Sequence, residues 1–208
     1  MLISHLHHDH AHLGSLRLLG DVPILTSPAN AAWLSGHGLN GTGIDETTWT
    51  HLGQGAGLDV RLTPAVHHSR PMPIRPNDAN GHLIRSPSDG VVWLAGDTAL
   101  FPELDAMAEP GPDAVDVAVV PVAGWGPKLS PGHMGPQEAA TACGQVGARW
   151  AVPVHWGTLH TPGGRHIPRR WMDKAGPAFV AAVERDAPRC QPVLLDVGAS
   201  VTIDVSDG

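Results

Sequence analysis

Residues 5–10 read His-Leu-His-His-Asp-His and place four imidazoles and one carboxylate in one short segment. Histidine is the commonest protein ligand for transition metals, and zinc accepts this mixture of nitrogen and oxygen donors. The pattern HxHxDH arises by chance only about 0.004 times in a chain of this length and composition. A His-rich surface loop without function is the alternative. The metal-binding interpretation requires a fold that brings further ligands to this segment.

The composition favours one folded, loop-rich domain over residues 1–208. The chain has 208 residues with 25 Gly and 20 Pro, and 42% of its residues are hydrophobic, which is enough to form a core. The formal net charge is -7 and only 13 residues are Lys or Arg. Nucleic-acid affinity rests on clustered basic side chains, so we expect no nucleic-acid partner.

The cysteines and the absence of apolar segments predict a cytoplasmic protein. Cys143 and Cys190 are too few for a disulfide framework, and neither belongs to a CxxC pair. The first ten residues lack the features of a signal peptide. The most apolar stretch, residues 114–124, is far shorter than the roughly 20 residues of a membrane span. We therefore expect no membrane span.

Strand-like and helical runs alternate along the chain, which predicts an α/β fold. A hairpin is predicted over residues 81–95, around Ser88-Asp89-Gly90. Two short strands are predicted near the C-terminus, over residues 193–197 and 200–204. The other predicted strands are residues 57–65, 91–95, 115–122 and 150–154, and the predicted helices are residues 13–19, 30–34, 136–146 and 177–186.

Three of the predicted strands end directly before further candidate ligands. His67 and His68 follow the strand at residues 57–65, Asp97 follows residues 91–95, and His155 follows residues 150–154. Neither cysteine lies in any of these motifs. A site built from imidazole and carboxylate groups, without a thiolate, suits chemistry at oxygen atoms.

These motifs in this order resemble the metallo-β-lactamase superfamily. The matching segments are HxHxDH at residues 5–10, Thr-Pro-Ala-Val-His ending at His67, Gly-Asp-Thr around Asp97, and Pro-Val-His-Trp-Gly-Thr around His155. The segment His-Met-Gly-Pro-Gln-Glu-Ala-Ala, which begins at His133, resembles the branch that contains ascorbate-6-phosphate lactonase and N-acyl-phosphatidylethanolamine phospholipase D. The resemblance covers nearly the whole chain and does not single out a substrate.

The resemblance implies a site for two divalent metal ions, with zinc expected and manganese as the alternative. One group of residues would hold the first ion, a second group would hold the other, and a carboxylate would bridge them. His68 is the alternative to His67 within the first group. By the family pattern, the first group is His5, His7 and His67, the second group is Asp9, His10 and His155, and the bridge is Asp97.

The implied activity is hydrolysis of a small phosphodiester, lactone or related ester by a hydroxide held between the two ions. Asp9 is a candidate for orienting the attacking water, and His133 is a candidate substrate contact. Two alternatives stay open at this point. The chain could be a metal-binding protein of the same fold without efficient turnover, or a thiolester hydrolase.

The resemblance also implies a four-layer αββα sandwich, in which two mixed sheets lie face to face between helices. Members of the superfamily usually have several strands before the first His motif, whereas only residues 1–4 precede it here. We therefore expect the first sheet to be incomplete. An incomplete sheet has an open edge, through which we expect a homo-oligomer to form.

Overall fold

Two β-sheets and four α-helices form the part of the chain that the structure, a computed structural model, describes: residues 1–53, 57–67, 75, 76, 78–107 and 113–205. The helices are α1 (Leu13–Leu16), α2 (Pro28–Gly36), α3 (Pro136–Gln145) and α4 (Ala175–Asp186). The strands are β1 (Ile24–Thr26), β2 (Gly41–Gly43), β3 (Thr50–Leu52), β4 (Leu58–Pro64), β5 (Asn80–Ser86), β6 (Gly90–Leu94), β7 (Val117–Pro121), β8 (Trp150–Val154) and β9 (Gln191–Pro192).

The larger sheet is mixed and has the strand order β3-β4-β5-β6-β7-β8-β9. Strands β3 to β6 pair antiparallel, and β6 to β9 pair parallel. The predicted hairpin is confirmed, since β5 and β6 pair directly with Ser86 opposite Gly90. In this order the carboxyl ends of β4, β6, β7 and β8 all lie at one edge of the sheet, where the candidate ligands follow.

The smaller sheet is formed by β1 and β2, which pair in parallel. The first residues of the chain extend it, because Leu2 forms an isolated bridge with Leu25 and the Ile3 amide donates to the Leu25 carbonyl over 3.0 Å. Three-residue strands with two glycines in β2 carry little periodic signal, which explains why the sequence did not predict them. The described first sheet is thus much smaller than the second.

Three apolar clusters separate four layers. Helices α1 and α2 cover the first sheet through side chains that include Leu16 and Leu34. Leu25 of β1 packs against Val60 of β4 between the two sheets. Phe179 of α4 belongs to the largest cluster, which joins α3 and α4 to the outer face of the second sheet. This order of helices, sheet, sheet and helices confirms the metallo-β-lactamase-type α/β fold.

The two strands predicted at residues 193–197 and 200–204 are wrong. The structure has only the short strand β9 there, and no regular strand over residues 193–205. The Val193 amide still donates to the Ala151 carbonyl over 2.8 Å. After Ala151, the next residue of β8 whose backbone faces β9 is Pro153. Proline has no N–H, so Pro153 cannot donate to the Val193 carbonyl. The ladder therefore stops at this point.

The predicted helices are present in the structure, but their first and last residues differ from the predicted ones. Helix α2 begins earlier than predicted, because the Ser27 hydroxyl accepts from the Asn30 amide and Pro28 occupies the first turn. Helix α1 ends at Leu16, and a 3₁₀ turn over Arg17–Leu19 completes the predicted segment. Among the described residues, no helix combines the length and apolar character that crossing a membrane requires.

The buried ring of Phe179 anchors α4, so we predict that Phe179→Ala lowers the free energy of unfolding by about 3–5 kcal/mol. Urea denaturation followed by circular dichroism measures the change. Leu18, whose side chain is 87% exposed, provides the matched control, and Leu18→Ala is expected to change stability by less than about 0.5 kcal/mol. A Phe179→Ala loss as small as the control would contradict the assignment of α4 to the main core.

Candidate metal centre

The predicted ligands come together at the edge where the carboxyl ends of four strands meet. His67 follows β4, Asp97 follows β6, and His155 follows β8, while the loop after β7 carries His133. The histidine-rich segment at residues 5–10 enters this edge from the other sheet. Ligand sites of α/β proteins form outside the carboxyl ends of strands, because the loops there converge.

Ser4 fixes the start of the histidine-rich segment between the two sheets. Its carbonyl accepts from the Asn80 amide of β5 over 2.9 Å. Its hydroxyl lies 3.0 Å from Nδ1 of His5 and 3.4 Å from Nδ1 of His10. One serine thus orients two imidazoles, and both rings present Nε2 to the centre of the site. No motif in the sequence indicates this role of Ser4.

The seven residues predicted as metal ligands form two groups that share one carboxylate. Within each group, one nitrogen or carboxylate oxygen from every residue lies within 4.8 Å of the others. Clusters of this composition are what a divalent ion requires. The first group is His5, His7, His67 and Asp97, and the second group is Asp9, His10, Asp97 and His155.

Asp97 lies at the centre and is 2% exposed. Its Oδ2 is 3.3 Å from Nε2 of His10, 3.6 Å from Nε2 of His155 and 3.7 Å from Nε2 of His5. Gly96 precedes it with φ +64°, and a Cβ at Gly96 would lie 2.7 Å from the Cβ of Ser4. The backbone therefore approaches the Ser4 segment as closely as only glycine permits.

Backbone carbonyls hold two of the imidazoles from behind. Nδ1 of His67 lies 2.7 Å from the Gly132 carbonyl, and Nδ1 of His155 lies 3.0 Å from the Ala123 carbonyl. Because Nδ1 donates to a carbonyl in each ring, Nε2 of the neutral ring keeps its lone pair for the site. Such outer contacts are typical of metal-binding histidines.

His155 has an unusual backbone conformation, with φ +60°. A non-glycine residue in the left-handed region is strained, and residues of this kind concentrate at functional sites. His155 comes directly after β8, and the turn of the backbone there lets its ring face Asp9 and Asp97. The left-handed backbone conformation of His155 therefore directs its ring into the site.

Asp9 is held from three sides. Its Oδ2 accepts from Nε1 of Trp125 over 3.0 Å, and lies 3.2 Å from Nε2 of His155 and 3.5 Å from Nε2 of His10. Trp125 is 43% exposed beside the site. No local pattern in the sequence links Trp125 to Asp9, since they are 116 residues apart.

The protonation states favour metal binding by the first group. Burial, followed by the charge of His10, lowers the pKa of His5 to about 2. Burial also lowers the pKa of His67. Both imidazoles are therefore neutral near pH 7. Burial opposes ionisation of Asp97, but contacts with His10 and His133 outweigh it and hold the pKa of Asp97 below its ordinary value.

The second group combines a carboxylate and a protonated imidazole. Burial alone would raise the pKa of Asp9, but the hydrogen bond with His155 and the charge of His10 hold it below its ordinary value. Burial would lower the pKa of His155, but the hydrogen bond with Asp9 and the charge of Asp97 raise it to about 9. Without metal, His155 is thus a cation at neutral pH.

His133 reaches the same centre from the loop that precedes α3. Its Nε2 lies 3.5 Å from Oδ2 of Asp97, and its Nδ1 lies 3.1 Å from the Ser130 hydroxyl. The interaction with Asp97 raises the pKa of His133 above its ordinary value. His133 therefore belongs to the site without belonging to either of the two groups. His68, the alternative to His67, lies outside the described residues.

Two buried polar atoms test whether the residues present fit a metal. Nε2 of His5 and Oδ1 of Asp97 have no hydrogen-bond partner among the described residues. A buried polar atom without a partner costs free energy, so such atoms at a site need an explanation. Both atoms belong to residues of the metal-ligand type, and an ion bound between them would satisfy them. The donor set therefore fits divalent metal ions.

Comparisons with known proteins show the family to which the chain belongs. The sequence model of the family described as "Beta-lactamase superfamily domain" matches residues 1–156. A protein of Nitratidesulfovibrio vulgaris strain DP4 named UPF0173 metal-dependent hydrolase is 28% identical over 152 residues, which cover 73% of this chain and 54% of the relative. The chain thus spans about half the length of that relative.

Two further proteins match over nearly the whole chain. A UPF0173 metal-dependent hydrolase of Symbiobacterium thermophilum is 29% identical over 214 residues, covering 98% of this chain and 81% of the relative. The solved structure of Igni18, described as a novel metallo hydrolase from the archaeon Ignicoccus hospitalis, aligns with a TM-score of 0.75 at 25% identity, covering 99% of this chain and 79% of Igni18. By its family match and its fold, the chain belongs to the metallo-β-lactamase superfamily.

Proposed function

We propose that this protein is a hydrolase that depends on two divalent metal ions and cleaves a small phosphodiester, lactone or related ester. The observation that carries the proposal is the position of Asp97 within both groups of ligand atoms. A single buried carboxylate shared by two His-rich groups is the arrangement expected of a pair of ions that act together. The names of the relatives as metal-dependent hydrolases support the same reaction class.

Each of the two groups of clustered side chains is proposed to hold one metal ion. His5, His7 and His67 would hold the first ion, Asp9, His10 and His155 would hold the second, and the carboxylate of Asp97, which belongs to both groups, would be shared between them. Zinc is the expected metal because nitrogen and oxygen donors suit it, and manganese is the alternative because its sites are rich in carboxylates. When bound, the two ions supply an activated water and stabilise negative charge on the substrate.

Asp9 and His133 are the proposed catalytic residues. Asp9 is ionised, and the Trp125 indole fixes its orientation, so its oxygens are placed to accept a hydrogen bond from the attacking water. His133 keeps Nε2 directed at Asp97 because Ser130 holds its other nitrogen. Its raised pKa lets it donate a proton or a hydrogen bond to the substrate oxygen near pH 7.

The substrate class follows from the donor set and the resemblance of the His133 segment. Carboxylate and imidazole ligands without a thiolate favour attack on phosphorus or carbonyl centres bound through oxygen. The half-exposed Trp125 ring offers an apolar surface next to the site. The lactonase and phospholipase D branch named above acts on substrates of this kind. Turnover of a thiolester, or metal binding without turnover, would be the outcome if the ester assays fail.

Removal of the shared carboxylate tests the proposal. We expect wild-type protein to bind about two divalent ions per chain, and Asp97→Ala to bind at most about one and to lose activity by about 100-fold or more. Mass spectrometry of the metals and assays with a chromogenic phosphodiester and a panel of lactones measure both quantities. Asp89→Ala, in the exposed β5–β6 turn, is the matched control. Equal activity in wild type and Asp97→Ala would refute the dinuclear mechanism.

Truncation of His133 separates a catalytic role from metal binding. We expect His133→Ala to retain both ions and to lower kcat by about 10²–10⁴-fold, because a positioned proton donor contributes about that much. The pH profile of kcat should lose one of its limbs at the same time. The rates and the metal content are measured on the same preparation. A fall in metal content that parallels the fall in kcat would make His133 a ligand instead.

Metal binding should release a proton from His155. Since the pKa of His155 is about 9 in the metal-free protein, the ring is protonated at pH 7.5 and must lose its proton to bind an ion. Calorimetric titration with zinc in two buffers of different ionisation enthalpy measures this release. We expect about one proton fewer from His155→Ala than from wild type. His5, with a pKa of about 2, contributes none, and an unchanged count in His155→Ala would refute the assignment.

The same pKa shift predicts how the stability of the metal-free protein depends on pH. A pKa raised from 6.5 to about 9 means that the folded state holds the His155 proton more tightly than the unfolded state. The stabilisation is therefore fully present below pH 6.5 and is lost as the pH rises through 9. Urea denaturation of chelator-treated protein between pH 6 and 9.5 should show this loss in wild type and a smaller one in His155→Ala.

A further inference from the structure

Cys143 and Cys190 meet at a cavity that the proposed metal centre does not use. Cys143 lies in α3, and Cys190 directly precedes β9. Both are free thiols, 0% and 6% exposed, and they belong to the same apolar cluster. Their side chains lie next to each other, since both residues line the same cavity and each thiol perturbs the pKa of the other. Forty-six residues separate them along the chain, so this contact depends on the tertiary fold.

The cavity next to the thiols has a volume of about 770 Å³. Its walls are polar as well as apolar, since Asp105, Arg149 and Arg189 line it together with both cysteines. A cavity of this size with polar walls accommodates water, and therefore also a small hydrophilic oxidant. Cys190, the slightly exposed thiol, is thus the one that an oxidant in this opening can reach, while Cys143 is fully buried behind it.

We propose that Cys143 and Cys190 form a reversible disulfide when the protein meets hydrogen peroxide, so that this pair is a redox modification site. Contact between two thiols is the first requirement for a disulfide without rearrangement of the backbone. The proposal rests on the position of the two thiols beside the cavity and is independent of the proposed hydrolase activity.

The reaction proceeds in two steps. The Cys190 sulfur attacks one oxygen of hydrogen peroxide, which releases one water and leaves Cys190 as a sulfenic acid. The Cys143 sulfur then attacks the Cys190 sulfur, the S–S bond forms, and the sulfenic oxygen leaves as a second water with the Cys143 proton. The two thiols lose two electrons in total, and the peroxide is reduced to two waters.

The order of attack follows from the environments of the two thiols. Cys190 is the more exposed of the two, and the hydrogen bond from Cys143 lowers the pKa of the Cys190 thiol. The pKa of Cys143 is raised, first by this hydrogen bond and then by burial. Thiolates react with peroxide and thiols do not, so Cys190 reacts first and Cys143 resolves the intermediate.

The disulfide would join helix α3 to the start of β9. Helix α3 begins just after His133, and the loop closed by the bond, residues 144–189, contains β8, His155 and α4. A bond across a loop of this length restricts the unfolded chain and therefore stabilises the folded protein. Oxidation is thus expected to raise the melting temperature.

The experiment treats the metal-loaded protein with hydrogen peroxide and follows it by peptide mass spectrometry, thiol titration after denaturation, and thermal unfolding. For wild type we expect one cross-linked peptide pair that contains Cys143 and Cys190, loss of both titratable thiols, and a rise in Tm of roughly 5–10 °C. Dithiothreitol should reverse all three changes. Methionine oxidation is distinguished because it maps to other residues.

Two serine variants complete the test. In Cys143→Ser, Cys190 should react to a sulfenic acid that dimedone traps, with no cross-link. In Cys190→Ser, Cys143 should stay a thiol, because its side chain is fully buried and burial keeps its pKa raised. Irreversible oxidation of Cys190 beside a free Cys143 in wild type, a disulfide between two chains, or unreactive thiols would each overturn the proposal. If Cys143→Ser fails to fold, the wild-type and Cys190→Ser results still decide it.

Discussion

The structure depends on a buried carboxylate that faces several imidazoles. Asp97 is almost fully buried, and His5, His10, His133 and His155 direct Nε2 at its Oδ2. Burial of an ionised carboxylate is costly unless positive charge compensates it. In the metal-free protein the raised pKa of His155 provides part of that charge. Two divalent ions would provide more, which explains why a site with such a carboxylate at its centre is built from so many neutral or titratable rings.

The fold meets this constraint by bringing candidate ligands from three strand ends and from one loop to the same place. Strands end at one edge of the larger sheet, so short loops are sufficient to place His67, Asp97 and His155. The first sheet contributes the remaining ligands through residues 5–10, and the hydrogen bond between Ser4 and Asn80 connects the two sheets at that point. The site therefore lies where the two sheets meet, and its geometry depends on how they pack against each other.

The sequence predicted which residues meet at the site better than it predicted the small sheet next to the first of them. The motif at His155 follows a strand with a clear hydrophobic pattern, so it can be recognised from neighbouring residues alone. The structure brings all motifs of this kind together. The contacts of Trp125 with Asp9 and of Ser4 with two histidines join distant or unremarkable residues, so only the tertiary structure reveals them. The strands predicted after residue 192 were wrong because their hydrophobic pattern says nothing about whether a neighbouring strand has a free donor.

The prolines at the β9 edge also bear on how the protein behaves at high concentration. Pro153 ends the ladder on the inner side of β9, and Pro192 faces outward because its neighbours Gln191 and Val193 both donate to β8. At this edge, a strand from another molecule could pair only with β9, which has two residues, and the outward-facing Pro192 has no N–H to donate. Exposed strand edges with free donors are the usual starting points of aggregation. The same prolines that shorten this strand therefore protect the larger sheet from growing into an intermolecular one at this side.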